Sequence, residues 1–227
     1  MAVKTVGLIT WHHPHLKTEQ VVHRLIAARR DVALRMYALP YKPRKRIAGF
    51  EHRPAQGEAV LPQAMAEKLG IPYVVCSGDG DVDERCDVYL MLGEGGLSAQ
   101  CVEGKRVIAC HPGVIPASRG DDAFKWSIHE MRPLGVTLHY VDAEFGDGEI
   151  IAVVPTPVYQ SDSLETLARR HYENEIDVLA RFAEYLAAPS NPFADVAAGE
   201  PKRRMPPRQE RSLARRFGEY RALFGGR

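Results

Sequence analysis

Residues 106–116 read Arg106-Val107-Ile108-Ala109-Cys110-His111-Pro112-Gly113-Val114-Ile115-Pro116, and this stretch decides the fold. Its apolar first half has the composition of a buried strand, and it stops at a histidine backed by proline and glycine. Open α/β sheets present reactive side chains in this way, at the carboxyl ends of their strands. A second run, Gly135-Val136-Thr137-Leu138-His139 and on to Asp142, reads as another strand carrying another histidine. Alternate residues of a strand share a face, so Ala109 and His111 reach one pocket while Cys110 points to the opposite side. Cys110 is therefore read as a core thiol, protonated and inert in apolar company.

Working outward, Val3–Thr10 reads as a first strand, Lys17–Arg30 as a helix by its apolar spacing, and Val32–Leu39 as a second strand. Strand, helix, strand at this length implies a right-handed βαβ unit. The proline-rich basic loop Pro40–Arg46 follows; a solvated loop is the preferred reading over a polyanion site. Glu58–Leu69 is expected to be a helix, with Tyr73–Cys76 and Asp87–Leu92 as strands. Beyond the opening stretch come a helix over Asp121–Met131, a strand over Glu149–Val158, and a long helix capped by Asp162 and ending near Leu186. The expected fold class is α/β, Rossmann-like: a mostly parallel twisted sheet with helices on both faces. It occupies 1–188, and a basic C-terminal extension, 189–227, carries a short helix over about Gln209–Phe224.

The 30 Lys and Arg nearly balance the 29 Asp and Glu, but the tail carries net +5 and the body −4. Leu213, Phe217, Tyr220 and Phe224 fall on one face of the tail helix, which a free polycation has no need of. The tail is thus expected to lie across the body or a partner subunit, as in a homodimer, and not to act as a nucleic-acid arm. No apolar run approaches the ~20 residues of a membrane span. The first residues lack signal-peptide anatomy, so a cytoplasmic protein is expected. Cys76, Cys86, Cys101 and Cys110 lack metal-ligand spacing, and His12, His13 and His15 have no Asp or Cys partner in register, so no metal is expected.

The signature 109–120, with Gly135-Val136-Thr137-Leu138-His139-Tyr140-Val141-Asp142 and Gly148-Glu149-Ile150-Ile151, resembles the folate-dependent formyltransferase family. That family's pattern runs Asn-x-His-Pro-[Ser/Gly]-Leu-Leu-Pro-x-x-[Arg/Pro]-Gly, then Gly-Val-Thr-x-His-x-Val-Asp, then Asp-x-Gly-x-Ile-Ile. The resemblance is strong over 87–188, weaker before it and absent in the tail. It implies transfer of the formyl group of 10-formyltetrahydrofolate to a small amine. Such a reaction forms a tetrahedral oxyanion, which needs hydrogen-bond donors, and takes a proton from the amine, which needs an acceptor.

Carried across by position, His111 matches the family's catalytic histidine and His139 its second histidine. Ala109 stands where the family has asparagine. Gly146 stands where it has aspartate, whether counted seven residues on from His139 or back from Gly148. Losing one oxyanion donor costs roughly 10²–10³ in rate, so the family mechanism cannot run here unmodified. Asp142, Glu144 and Asp147 are the carboxylates expected to take over proton transfer. The resemblance also implies a folate pocket bordered by Gly93, Gly95, Gly96, Leu97, His139, Tyr140, Val141 and Gly146. His139 reads equally as a ligand contact or as a core histidine that positions its loop.

On the acceptor side the resemblance points to Arg119, Gly120 and Lys125, the last within Lys125-Trp126-Ser127-Ile128. The loop after the first strand, Trp11-His12-His13-Pro14-His15, has no glycine to cradle a phosphate. The resemblance is accordingly closer to members acting on amino sugars or amino acids, with Trp11, His12 and His13 beside a planar or sugar-like ligand. The expected function is thus an N-formyltransferase with an altered constellation around His111. A silent folate- or ligand-binding member and a hydrolase on the same scaffold are the alternatives.

Overall fold

Strands begin and end where proline, glycine or charge interrupts the apolar runs. The computed structural model describes residues 3–29, 31–43, 49–142 and 148–226. The chain runs β1 (Thr5–Trp11), α1 (Leu16–Ala28), β2 (Ala33–Leu39), α2 (Pro62–Leu69), β3 (Tyr73–Val75), β4 (Val88–Met91), α3 (Ala99–Val102), β5 (Val107–His111) and α4 (Ala123–His129). It continues through β6 (Gly135–Tyr140), β7 (Ile150–Pro155), α5 (Leu164–Ala180), α6 (Phe182–Ala187), α7 (Pro207–Glu210) and α8 (Leu213–Phe224).

One seven-stranded sheet has the order β3-β2-β1-β4-β5-β6-β7. Pairing is parallel from β3 to β5, and antiparallel for β5 with β6 and β6 with β7. Alternation divides the core. Val6, Leu8, Met36, Leu90, Ile108, Cys110 and Leu138 face α1, α2, α5 and α6. Ile9, Tyr37, Tyr89 and Val107 face the other way, toward Cys76, Val82 and Cys101 of α3.

Several boundaries differ from the sequence reading, each for a local reason. The helix expected from Glu58 starts at Pro62, whose fixed φ suits the first helical turn. Ser163, not Asp162, caps α5: its hydroxyl accepts from the Thr166 amide, and Thr166 reciprocates on the Ser163 amide. Asp162 is instead buried in a two-point pair with Arg170, at 2.6 and 2.7 Å. The expected long helix is interrupted at Arg181, separating α5 from α6.

The tail folds back on the body. Leu213, Phe217 and Tyr220 are buried against Phe124, Trp126, Ile128, Leu134 and Leu167. Burying such side chains stabilises by about 1.5–3 kcal/mol each. The Tyr220 hydroxyl donates to the Arg132 carbonyl at 2.9 Å. Lys125 of α4 is fully buried and pairs with Glu210 of α7, with Asp122 at 3.8 Å.

Candidate active site

Antiparallel pairing of β5 and β6 sets Ala109 opposite His139 and His111 opposite Thr137. Directly paired residues share a face, so both histidines come to one side at the end of the sheet. Both line a cavity of about 580 Å³, together with Ala109, Met91, Gly93 to Leu97, Val141 and Asp142. Next to it lies a larger cavity of about 940 Å³ under the ends of β1 and β2, walled by Trp11, His13, Tyr41, Gln56 and Ser77. Gly93–Leu97, Met91, Arg53 and Arg204 border both, so the two form one cleft.

His111 is held by its Nε2, which donates to the Ser118 carbonyl at 2.7 Å. Burial lowers its pKa to about 4, so the ring is neutral at pH 7. With the proton on Nε2, Nδ1 carries the lone pair. The loop after His111 is fixed from α5: His171 donates from Nε2 to the Pro112 carbonyl at 3.2 Å and accepts the Thr156 hydroxyl on Nδ1 at 2.8 Å. Burial holds His171 at a pKa of about 4 as well.

The floor of the cleft is charged. Glu175, on the buried stripe of α5, accepts from Lys17 at 2.7 Å and also pairs with Arg53. Burial opposes the carboxylate, but the two cations outweigh it and hold its pKa at about 2. Nearby His15 is pushed down to about 3, chiefly by burial and then by the charge of Lys17. It shares a hydrogen bond of 2.8 Å with the Thr18 hydroxyl.

The cleft thus gathers His111, His139, Asp142, Val141, Gly93, Gly95, Gly96, Leu97, Gly120, Trp11 and His13. Four expected site residues lie elsewhere. Tyr140 follows His139 and so points to the other face, where its hydroxyl accepts from Arg106 at 3.0 Å. His12 is exposed and bonded through Nδ1 to the Tyr73 hydroxyl at 2.8 Å, while its neighbour His13 stacks on Tyr41 with centroids 4.0 Å apart. Lys125 is sealed under the tail by Glu210. Arg119 donates to the Gly199 carbonyl at 2.9 Å. Glu144, Gly146 and Asp147 fall outside the described residues.

Lys17, His52, Arg53, Glu175 and Arg204 line the cleft and escaped the sequence reading. Glu175 alone left a sequence signal: a carboxylate four residues after His171, inside the apolar stripe of a helix, calls for a buried cation. Gly93 also has its reason here, since a Cβ at that position would lie 2.8 Å from Trp11 Cε2. Among the described residues no helix is long and apolar enough to cross a membrane, and no group of three or more His, Cys, Asp or Glu is placed to hold a metal.

Residues 97–182 match the formyl transferase family. The chain is 28% identical over 127 residues to phosphoribosylglycinamide formyltransferase of Bacillus subtilis, a match covering 56% of this chain and 60% of that protein. Among solved structures, a 4-N formyltransferase from Francisella tularensis superimposes with a TM-score of 0.62 at 15% identity, covering 88% of this chain and 76% of that one. Phosphoribosylglycinamide formyltransferase from Campylobacter jejuni gives 0.58 at 18% identity, covering 82% and 100%. The match over 97–182 takes in both histidine strands and α5, and the solved structures share the fold across the sheet.

Proposed function

We propose that this chain is an N-formyltransferase that takes the formyl group of 10-formyltetrahydrofolate to a small amine in the cleft between His111 and the Trp11–Tyr41 wall. The observation that carries the reading is the convergence of His111, His139, Asp142 and the Gly93–Leu97 turn on one cavity.

The cavity suits the folate. Met91, Leu97 and Val141 offer apolar surface to a flat ring, and the Asp142 carboxylate beside them accepts from ring N–H groups. When bound there, 10-formyltetrahydrofolate supplies a carbonyl carbon already activated for attack by an amine. His111, neutral and with Nδ1 unprotonated, receives the proton that the amine loses as its nitrogen bonds the formyl carbon, and returns it to N10 as the bond from that carbon to N10 breaks and tetrahydrofolate leaves. The hydrogen bond to the Ser118 carbonyl fixes its tautomer and ring plane, as the partner of a catalytic histidine must. The charge of Glu175 favours the imidazolium that forms. Glu175 stays ionised and paired, so its part is to hold Lys17 and Arg53 and not to move protons.

A second reading has one observation behind it. Ala109 occupies the wall beside His139 and offers no donor to an oxyanion. A member that binds folate without turnover would look the same at this position. The two readings part in an assay: calorimetric titration with 5-formyltetrahydrofolate, then 10-formyltetrahydrofolate with a panel of amino sugars and amino acids. Folate binding with acceptor-dependent formyl transfer supports the enzyme. Folate binding with no transfer to any amine, and transfer created by Ala109→Asn, supports the silent member.

A further inference from the structure

We propose that Arg204, carried into the cleft by the C-terminal tail, binds an anionic group of the acceptor, a carboxylate or a phosphate, and so selects which amines are used. The word acceptor rests on the formyl-transfer reading; the anion site itself does not.

The tail crosses the body as a pinned strap. The Gly199 amide donates to the Pro116 carbonyl at 2.9 Å, the Lys202 amide to Arg119 at 3.0 Å, and the Asp121 amide returns to the Lys202 carbonyl at 2.8 Å. Gly120 makes the crossing possible: its φ is +86°, and a Cβ there would lie 2.1 Å from the Lys202 carbonyl oxygen. Both neighbours of Arg204 are anchored. The Arg203 carbonyl accepts from Trp126 Nε1 at 2.8 Å, and the Met205 amide donates to Asp122 Oδ2 at 3.0 Å while its side chain is buried. Arg204 between them is half-buried and borders both cavities.

Among the described residues the Arg204 guanidinium forms no ion pair. Of the acids that line the two cavities, Glu175 is engaged by Lys17 and Arg53, Asp79 by the Ser98 amide and hydroxyl, and Asp122 by the Met205 amide, while Asp121 and Asp142 border the smaller cavity. Glu51 and Glu94 stand on the exposed rim, with Glu94 acting on Arg53. A partly desolvated guanidinium held by its backbone matches a carboxylate or phosphate two bonds at a time. Its position at the junction suits a ligand whose amine reaches His111 while its body extends along Trp11, His13 and Tyr41. The glutamyl carboxylates of a folate share that anionic chemistry, and the experiment separates the two sources.

The test uses the full chain and two probes, pyrophosphate and 5-formyltetrahydrofolate, each titrated calorimetrically into wild type, Arg204→Gln, Arg204→Lys and the exposed-tail control Arg208→Gln. Thermal melts confirm that each variant is folded. Pyrophosphate affinity is expected to fall at least about tenfold in Arg204→Gln, to be partly restored in Arg204→Lys and to be unchanged in Arg208→Gln. Affinity for 5-formyltetrahydrofolate should be the same in all four. Pyrophosphate binding that is absent from wild type, or equal in Arg204→Gln, overturns the proposal. A loss confined to 5-formyltetrahydrofolate also overturns it, assigning Arg204 to the folate. Failure of 5-formyltetrahydrofolate to bind any of the four, with the pyrophosphate pattern intact, removes the formyl-transfer reading and upholds the anion site.

Discussion

Two buried lysine–glutamate pairs hold this molecule together, and they sit in different settings. Lys17 and Glu175 join α1 to α5 at the floor of the cleft, with Arg53 as a second cation. Lys125 and Glu210 join α4 to α7 beneath the tail, in company with Phe124, Met205 and Leu213. The chemistry is the same, and the consequences differ with the surroundings. The floor pair borders open cavity, so its charges shape what binds there. The tail pair is enclosed on all sides and acts as a latch.

The largest effects should come from breaking either pair. Glu175→Gln strands Lys17 and Arg53, and Glu210→Gln leaves Lys125 only the more distant Asp122; each should cost about 3–5 kcal/mol in chemical denaturation. Only Glu175→Gln should also weaken 5-formyltetrahydrofolate binding or acceptor turnover in the fraction that remains folded. Equal functional loss in Glu210→Gln would break the distinction between floor and latch.

Acid sharpens it. His15, His111 and His171 are kept neutral by burial, with pKa values of about 3, 4 and 4 against an ordinary 6.5. The unfolded chain therefore binds more protons between pH 6.5 and 4, and stability falls as pH falls through that window, by about 2 kcal/mol per histidine at pH 5. Glu175 works lower down: its folded pKa near 2 gives stability that is fully present above about pH 5 and is lost as pH falls toward 2. Denaturation curves at pH 7 and pH 5 should thus differ by several kcal/mol, and His171→Asn should flatten the dependence. His15 and His111 line the cleft, so Glu210→Gln should leave their share of the slope unchanged.

Why one half of the site was legible in the sequence and the other was not follows from the same contrast. His111 and His139 are local signals, since each ends an apolar run and strand alternation fixes its face. The two-residue period also placed Cys110 in the core and, applied one residue further, places Tyr140 away from the cleft. The floor depends on residues 158 apart in sequence, Lys17 and Glu175, joined only when α1 and α5 pack on one face of the sheet. Arg53 and Arg204 lie in irregular segments with no periodicity to read. The aromatic spacing of α8 foretold which side of the tail is buried; where the tail crosses, and hence which arginine enters the cleft, depends on Gly120 and Asp122 far away. His12 and His13 show the limit within a single loop, where adjacent residues of identical type turn to opposite sides.

A smaller effect tests the local end of the account. Ser163→Ala removes the side-chain half of the α5 capping box and should cost about 1 kcal/mol, read as a lowered denaturation midpoint at unchanged slope. Ser163 borders neither cavity, so folate affinity should stay the same.

The role of His111 is measured most directly by formyl transfer from 10-formyltetrahydrofolate, followed as acceptor-dependent release of tetrahydrofolate, in wild type and His111→Ala with matched folding checks. Turnover should require an amine and fall at least about 100-fold in His111→Ala, with 5-formyltetrahydrofolate binding retained. Equal rates in the two proteins, or a wild type that binds folate and transfers to no amine, would contradict it.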